Sequence, residues 1–376
     1  MKLFPFLGLA TALMPLLISR PTFASTKPIE IPPDFDRSTI SQDRTFREQF
    51  RLDGTMGGAL WDVRFSPDRR SIVVAASYDL ILWQGDGTQQ LDSERHSLPI
   101  RFVEYSPDGT TIAAAVTTPD EAFEIDNRYK TVEIWRVAND RFESVRSIVH
   151  GAWVEKLQFS PDGQFLATLG RDRQLKLWDN NGRNINTIAA TDFAFVANSE
   201  QWVTGDRTGR VKIWKMDRTR VRSSGEFDTG APITGIGVRR DGQYIATGND
   251  RGEVTLWTRE GERLMVLPAN GDRVSQLQFS SDGEFLISIS NGWVRRWHLE
   301  RQTVMAQRGD LARWSPNGQL LAIVSDDRKN VTVWDRAGSL VRSIEIDNFC
   351  YGGVRFSPDS TGLGVTDGDN LRVWGF

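Results

Sequence analysis

The chain is poor in the residue types that catalyse reactions or hold metals. It has three histidines and one cysteine among 376 residues, and it lacks a His-Glu-x-x-His pair, a nucleophile elbow and a Walker loop. Asp86-Gly87 and Asp367-Gly368-Asp369 lack the spaced series of oxygen ligands that calcium needs, so both are interpreted as turns. Cys350 is interpreted as a small buried apolar residue. We therefore predict no catalytic residue, no bound metal and no cofactor.

One long loop carries residue types that bind other proteins. Residues 117–130, TTPDEAFEIDNRYK, make the segment between two predicted strands about 11 residues longer than its counterparts. Acids stand beside aromatic residues there, as they do at the centres and rims of protein interfaces. The alternative is a hairpin extension that has no partner. The candidate partner-binding residues are Asp120, Glu121, Phe123, Asp126 and Tyr129.

A second set of candidates occupies aligned positions just before the apolar start of a repeated strand. These positions hold Trp153, Arg273 and Arg308. Tryptophan and arginine are the residue types most enriched in binding hot spots, so we expect these three side chains to project from one face. For Trp153 the alternative is packing against a neighbouring structural unit.

The strands that position these residues are predicted from a sequence segment that recurs along the chain. Eight tryptophans end eight similar segments such as LKLW and VTVW, at intervals of 36 to 52 residues. The interval is the length of one four-stranded propeller blade. The eight are Trp83, Trp135, Trp178, Trp214, Trp257, Trp297, Trp334 and Trp374.

Each repeat predicts strands joined by tight turns. In FSPDGQFLATLGRDRQLKLWD, Ser160 to Gly163 suits a type I turn between two apolar strands, and a third strand ends at Trp178. The strands are apolar on both faces, which requires sheets that are covered on both sides. Eight radial sheets cover one another in this way. We predict an all-β propeller of eight four-stranded antiparallel blades over residues 46–376; seven blades would make one repeat an appendage.

The last repeat needs a strand from elsewhere. It ends at Phe376, two residues after Trp374, and has no fourth strand of its own. Residues 46–52 have strand-like composition, and we predict that they pair beside Leu371 to Trp374. An unpaired edge at this place would favour aggregation.

The repeat resembles the WD40 family over roughly residues 46–376. In that family a histidine, a hydroxyl residue, an aspartate and the closing tryptophan form a buried hydrogen-bonded set. The third repeat matches it best, and the resemblance implies a structural role for His150, Thr168, Asp172 and Trp178. The Trp-Asp pair that ends the family's repeat survives only as Trp178-Asp179 and Trp334-Asp335, and its Gly-His pair is absent. The resemblance also implies that the long loop lies on the face most used for partners.

The N-terminus has a different character from the repeats. Residues 1–24 combine Lys2, an apolar run and a small-residue site ending at Ala24, which predicts a cleaved signal peptide and a secreted or periplasmic protein. The apolar run is short for a membrane anchor and is interrupted by prolines. Residues 25–45 are interpreted as an extended lead-in. No membrane span is expected after cleavage.

The main functional hypothesis is a non-catalytic, exported scaffold that binds proteins through loops on one face, because loops vary while the sheets stay fixed. The net charge of −3 disfavours nucleic acid, and we expect a monomer. The alternative is a propeller enzyme, a hydrolase or lyase with its site at the channel mouth. A glycan-binding surface built on exposed tryptophan remains a third alternative.

Overall fold

The computed structural model describes residues 46–52, 58–116, 131–197, 200–217, 220–267, 271–350 and 353–376. The predicted signal peptide, the lead-in and the long loop of residues 117–130 lie outside this part of the chain. The described residues form 32 strands in eight four-stranded antiparallel sheets. The predicted all-β propeller with eight blades is confirmed. No helix long and apolar enough to cross a bilayer occurs among the described residues.

Blades 1 to 4 follow the chain order, and each begins with its innermost strand. Blade 1 contains β2 (Leu60–Phe65), β3 (Ser71–Ala76), β4 (Asp79–Gln84) and β5 (Gln90–Arg95). Blade 2 contains β6 (Ile100–Tyr105), β7 (Thr111–Val116), β8 (Thr131–Ala138) and β9 (Arg141–Val149). Blade 3 contains β10 (Val154–Phe159), β11 (Phe165–Gly170), β12 (Gln174–Asp179) and β13 (Asn184–Ala189). Blade 4 contains β14 (Asp192–Phe195), β15 (Gln201–Gly205), β16 (Arg210–Asp217) and β17 (Arg220–Asp228).

Blades 5 to 8 repeat the same order, except that the outermost strand of blade 8 comes from the N-terminal segment. Blade 5 contains β18 (Ile233–Val238), β19 (Tyr244–Asn249), β20 (Val254–Thr258) and β21 (Arg263–Leu267). Blade 6 contains β22 (Val274–Phe279), β23 (Phe285–Ser290), β24 (Trp293–His298) and β25 (Thr303–Arg308). Blade 7 contains β26 (Leu311–Trp314), β27 (Leu320–Val324), β28 (Asn330–Asp335) and β29 (Leu340–Glu345). Blade 8 contains β30 (Val354–Phe356), β31 (Gly362–Asp367), β32 (Asn370–Gly375) and β1 (Arg47–Leu52).

The Ser-Pro-Asp-Gly turns join the first and second strands of a blade through side-chain hydrogen bonds. In blade 3 the Ser160 hydroxyl donates to Asp162 Oδ1 (2.5 Å) and accepts from the Phe165 N–H (3.1 Å). Gly163 has a φ of 68°, a conformation that glycine adopts without a Cβ clash. We call the face that carries these turns the turn face. The opposite face carries the connections between blades, and we call it the loop face.

The core lies between adjacent blades rather than inside any one of them. Between blades 2 and 3, for example, Ala113 and Val132 pack with Leu157, Leu166 and Trp178. The second strand of a blade has a neighbour on both sides, and every residue of β11 and β23 is buried. This arrangement explains why those segments are apolar at consecutive positions instead of alternating with polar residues.

The N-terminal strand closes the ring as predicted. β1 pairs antiparallel with β32, with Leu52 opposite Leu371 and Glu48 opposite Trp374. The buried Phe46 ring stacks on Trp374 with centroids 5.8 Å apart. The last blade therefore has no unpaired edge at β32.

Candidate functional site

The innermost strands surround a central channel. Each of them forms one edge of its sheet: β2, β6, β10, β14, β18, β22, β26 and β30. Side chains link neighbouring members of this ring: Lys156 Nζ of β10 is 2.8 Å from Asp192 Oδ1 of β14. Likewise, Arg355 Nη2 of β30 is 3.1 Å from Asp62 Oδ1 of β2.

Five of these strands carry the same bulge at the loop face. β2, β6, β10, β18 and β22 each shift register after their first residue. A bulged residue lies outside the regular ladder, and its side chain is redirected. Because the innermost strands begin at the loop face, these extra residues lie around the channel mouth. We call them the mouth ring: Trp61, Arg101, Glu155, Thr234 and Ser275.

Two stacked pairs of arginine and tryptophan occupy the mouth of blades 1 to 3. The Arg101 guanidinium lies 4.2 Å from the centroid of the Trp61 ring. The Arg171 guanidinium lies 4.6 Å from the centroid of Trp153. Each stack holds a planar cation at a fixed place and combines apolar area with hydrogen-bond donors.

The charges at this mouth are only partly balanced. Glu155 accepts a hydrogen bond from Arg171 Nε (3.2 Å), and both side chains are more than half exposed. Arg101 Nε is buried without a hydrogen-bond partner. Burial, together with the positive charge of Arg171, lowers the pKa of Arg101. A carboxylate from outside the chain would meet two guanidinium groups here, since Glu155 is the one acid bonded to either of them in the described part.

The predicted partner-binding residues lie at different depths. Trp153 is only 6% exposed, so it supports the Arg171 stack and offers little surface of its own. Arg273 is exposed directly before β22. Arg308 differs from its predicted position: it ends β25 of blade 6, because the short innermost strand of blade 7 begins only at Leu311. Its guanidinium stacks on Trp293 at 4.5 Å.

The other set of predicted partner residues falls outside the described residues. Asp120, Glu121, Phe123, Asp126 and Tyr129 all lie in residues 117–130. Their loop connects β7 with β8, so both of its ends are in blade 2.

The four residues that the resemblance marks as structural form one hydrogen-bonded chain. Thr168 Oγ1 accepts from the Trp178 indole N–H (2.8 Å) and is 2.7 Å from His150 Nδ1. Since Thr168 can donate its hydroxyl hydrogen to Nδ1, the histidine Nε2 donates to Asp172 Oδ1 (3.4 Å). His150 is fully buried. Burial, opposed by the Asp172 charge, lowers the pKa of His150.

The channel wall is held by two aspartates in equivalent positions. Asp62 accepts from the Val63 and Val103 N–H groups, and Asp192 accepts from those of Phe193 and Ile236. Each also receives a cation from the preceding blade. No group of three or more His, Cys, Asp or Glu side chains suited to a metal occurs among the described residues.

Sequence reasoning missed Trp61 and Arg101. It aligned the residue before each apolar strand, whereas the mouth ring lies one residue inside the strand. The bulge that moves these side chains out of the ladder depends on pairing between two strands, so one strand's pattern does not reveal it. Aligning the second position of the innermost strands would have brought Trp61, Arg101 and Glu155 together.

Comparison with known proteins finds similarity to WD-repeat proteins. The family model "WD domain, G-beta repeat" matches residues 142–179 and 261–298. The first match begins within β9, and the second begins just before β21, which are the outermost strands of blades 2 and 5. Each match ends one residue after the closing tryptophan of the next blade, so one repeat spans two blades.

Similar proteins come from distant organisms. The chain is 29% identical to an uncharacterized WD repeat-containing protein of Synechocystis sp. over 36% of this chain and 14% of that protein. It is 26% identical to the nuclear distribution protein PAC1 of Arthroderma otae over 65% of this chain and 50% of that protein. The chain thus spans half or less of the length of these relatives. The crystal structure of the C-terminal WD40 domain of Sif2 shares the fold, with a TM-score of 0.69 at 14% identity, over 88% of this chain and 98% of that domain.

Proposed function

We propose that this chain, which is a WD40-repeat propeller of eight blades, binds another protein at the channel mouth of blades 1 to 3 and has no catalytic role. The observation that carries the proposal is the pair of stacks, Arg101 on Trp61 and Arg171 on Trp153. Both lie on the loop face, where segments vary while the sheets remain fixed.

The chemistry of the mouth defines the partner. Two guanidinium groups and one carboxylate favour a segment that brings more acids than bases. The ring of Trp61 adds an apolar surface for a neighbouring aliphatic or aromatic side chain. The partner that fits is a protein segment in which acidic residues stand beside an apolar one, and a monomeric propeller presents the mouth to it.

Export through the N-terminal signal peptide is part of the proposal. It is supported by the charged start, the apolar run and the small-residue site at Ala24. The partner would then be a secreted or periplasmic protein. A mature N-terminus at Ser25, read by mass spectrometry on protein purified from the native host, is the expected result, and an intact Met1 would contradict it.

Affinity capture from the native host tests the binding surface. Arg101→Ala combined with Arg171→Ala removes both cations, and we expect the captured partner to be lost. Arg240→Ala is the matched control, because it removes an exposed arginine from a turn on the opposite face. If the double variant retains every partner that the control retains, the mouth of blades 1 to 3 is not the binding site.

A further inference from the structure

A second feature of the channel lies deeper than the mouth, at the penultimate residue of each innermost strand. These residues lie on the side that faces the innermost strand of the next blade: Arg64 Nε, for example, donates to Glu104 Oε2 at 2.8 Å. Eight positions form this set, which we call the lumen row. Its members are Arg64, Glu104, Gln158, Ala194, Gly237, Gln278, Arg313 and Arg355.

The lumen row is strongly asymmetric. Three arginines come from the consecutive blades 7, 8 and 1, whereas blades 4 and 5 contribute Ala194 and Gly237, which have no long side chain. All three arginine side chains keep partial solvent exposure, although protein surrounds them in the channel. Blades 4 and 5 therefore place no charged side chain in this row.

The two nearby carboxylates are already engaged. Asp62 Oδ1 is 2.6 Å from Arg64 Nη1 and 3.1 Å from Arg355 Nη2, and Asp62 also accepts from two backbone N–H groups. Glu104 is paired with Arg64. Arg313 Nη1 donates to the Ala312 carbonyl oxygen (3.1 Å). Among the described residues Arg313 thus has no carboxylate partner.

Electrostatics agree with this geometry. Burial, followed by repulsion from Arg355 and Arg64, lowers the pKa of Arg313 to about 9, while Asp62 and Glu104 act in the opposite direction. Burial and the charge of Arg64 lower the pKa of Arg355 to about 10. An anion placed beside Arg313 would relieve this repulsion, in a setting where protein replaces most of the screening water.

We propose that Arg313, supported by Arg355 and Arg64, forms a binding site for a small oxyanion inside the channel. Arginine donates two parallel hydrogen bonds to a carboxylate or a phosphate, so the ligand is an anion of this class that is small enough to enter the lumen. The site is separate from the proposed mouth surface, and neither proposal requires the other.

Inorganic phosphate is the first probe. With the ionic strength held constant by sodium chloride, phosphate should raise the unfolding temperature of the full chain in a saturable manner, because it binds the folded state. Arg313→Gln should raise the Kd for phosphate about tenfold or more, because it removes a charged hydrogen-bond donor. Glutamine already occupies this row in blades 3 and 6, so the variant is expected to fold.

Two further variants sharpen the test. Glu104→Gln removes a competing carboxylate and should lower the Kd for phosphate, whereas Arg240→Gln on the turn face should leave it unchanged. A parallel series with sodium acetate distinguishes the source: a saturable effect of acetate assigns a carboxylate ligand, and an effect of phosphate alone assigns a phosphate. The proposal is overturned if neither anion has a saturable effect, or if Arg313→Gln responds as the wild type does.

Discussion

At the scale of single residues, the hydrogen-bonded set of blade 3 shows how a polar group becomes part of a core. Thr168 connects two rings at once, because its hydroxyl accepts the Trp178 N–H and also bonds to His150 Nδ1. Blades 4 and 5 keep the tryptophan bond, with Trp214 and Trp257 donating to a threonine at 2.8 Å. A buried polar group that keeps its partners costs little, and one that loses them costs about 1–3 kcal/mol.

The histidine of this set gives the protein a specific pH dependence. Burial lowers the pKa of His150 below the ordinary 6.5, so the unfolded chain binds a proton more tightly than the folded chain. The free energy of unfolding should therefore fall as the pH drops from about 6.5 towards the folded pKa. In His150→Asn the part of the slope that His150 contributes should disappear, although the variant is less stable at pH 7. Chemical denaturation at pH steps between 5 and 8 measures both curves.

Other titrating groups do not obscure this effect. Burial and the charge of Arg301 lower the pKa of His298 as well, but this contribution is common to both proteins and cancels in the difference. Burial raises the pKa of Asp359, yet hydrogen bonds from Ser357 and Arg69 outweigh it and lower that pKa to about 2. That carboxylate loses its contribution only below its ordinary 3.8. Parallel pH curves for wild type and His150→Asn would contradict the assignment.

At the scale of elements, the strands were predictable and their irregularities were not. Apolar runs ended by turn residues placed β10 to β12 close to their observed bounds, because turn chemistry is local. The bulges of the innermost strands depend on register between two strands, so the mouth ring was missed. Arg308 was expected just before the start of a repeated strand, whereas it ends β25, because β26 has only four residues and its short apolar pattern gave no clear start.

The innermost strands are held together by aspartates that each connect three blades. Asp192 of blade 4 accepts from Lys156 of blade 3 and from the Ile236 N–H of blade 5, each at 2.8 Å. Asp62 of blade 1 connects blades 8 and 2 in the same manner. We call each aspartate with its bonded groups a clasp. The Asp62 clasp and the Asp192 clasp are three blades apart, and together they connect blades 8 and 1 to 5. These strands are therefore fastened at the channel by polar contacts in addition to their apolar faces.

Removing one clasp should destabilise the ring. Asp192→Ala leaves two backbone N–H groups without an acceptor and removes the carboxylate partner of Lys156, which keeps only the Phe193 carbonyl oxygen, and we expect a loss of about 2–4 kcal/mol in the free energy of unfolding. Lys156→Met should cost less, because Asp192 keeps both of its backbone donors. Asp217→Ala, at an exposed pair with Arg222, should change stability by less than about 0.5 kcal/mol. Urea denaturation ranks the three, and a smaller loss for Asp192→Ala than for Lys156→Met would refute the clasp.

At the scale of the whole molecule, the ring of blades followed from packing. Eight similar units, each apolar on both faces, cover one another only in a ring, and this requirement does not depend on any single residue. The repeat did not predict which side chains lie in the channel. The lumen row holds arginine, glutamate, glutamine, alanine and glycine at equivalent positions, so the repeat does not fix the residue type there. On such a ring, function therefore depends on the positions whose residue types the repeat does not fix.

The closure of the ring can be tested by deletion. Residues 46–52 supply β1, the Phe46 stack on Trp374 and the pair between Glu48 and Arg372 at 3.0 Å. Removing them exposes the edge of β32 and takes away two buried side chains, Phe46 and Leu52, whose burial together contributes about 3–6 kcal/mol. We expect a loss of that size in urea denaturation, with concentration-dependent association in size-exclusion chromatography, because a free β-edge pairs with other chains. Deletion of residues 25–40 is the matched control and should leave both measurements unchanged. Equal effects of the two deletions would mean that the ring is stable without the N-terminal strand, so that adjacent blades hold blade 8 through their apolar faces alone.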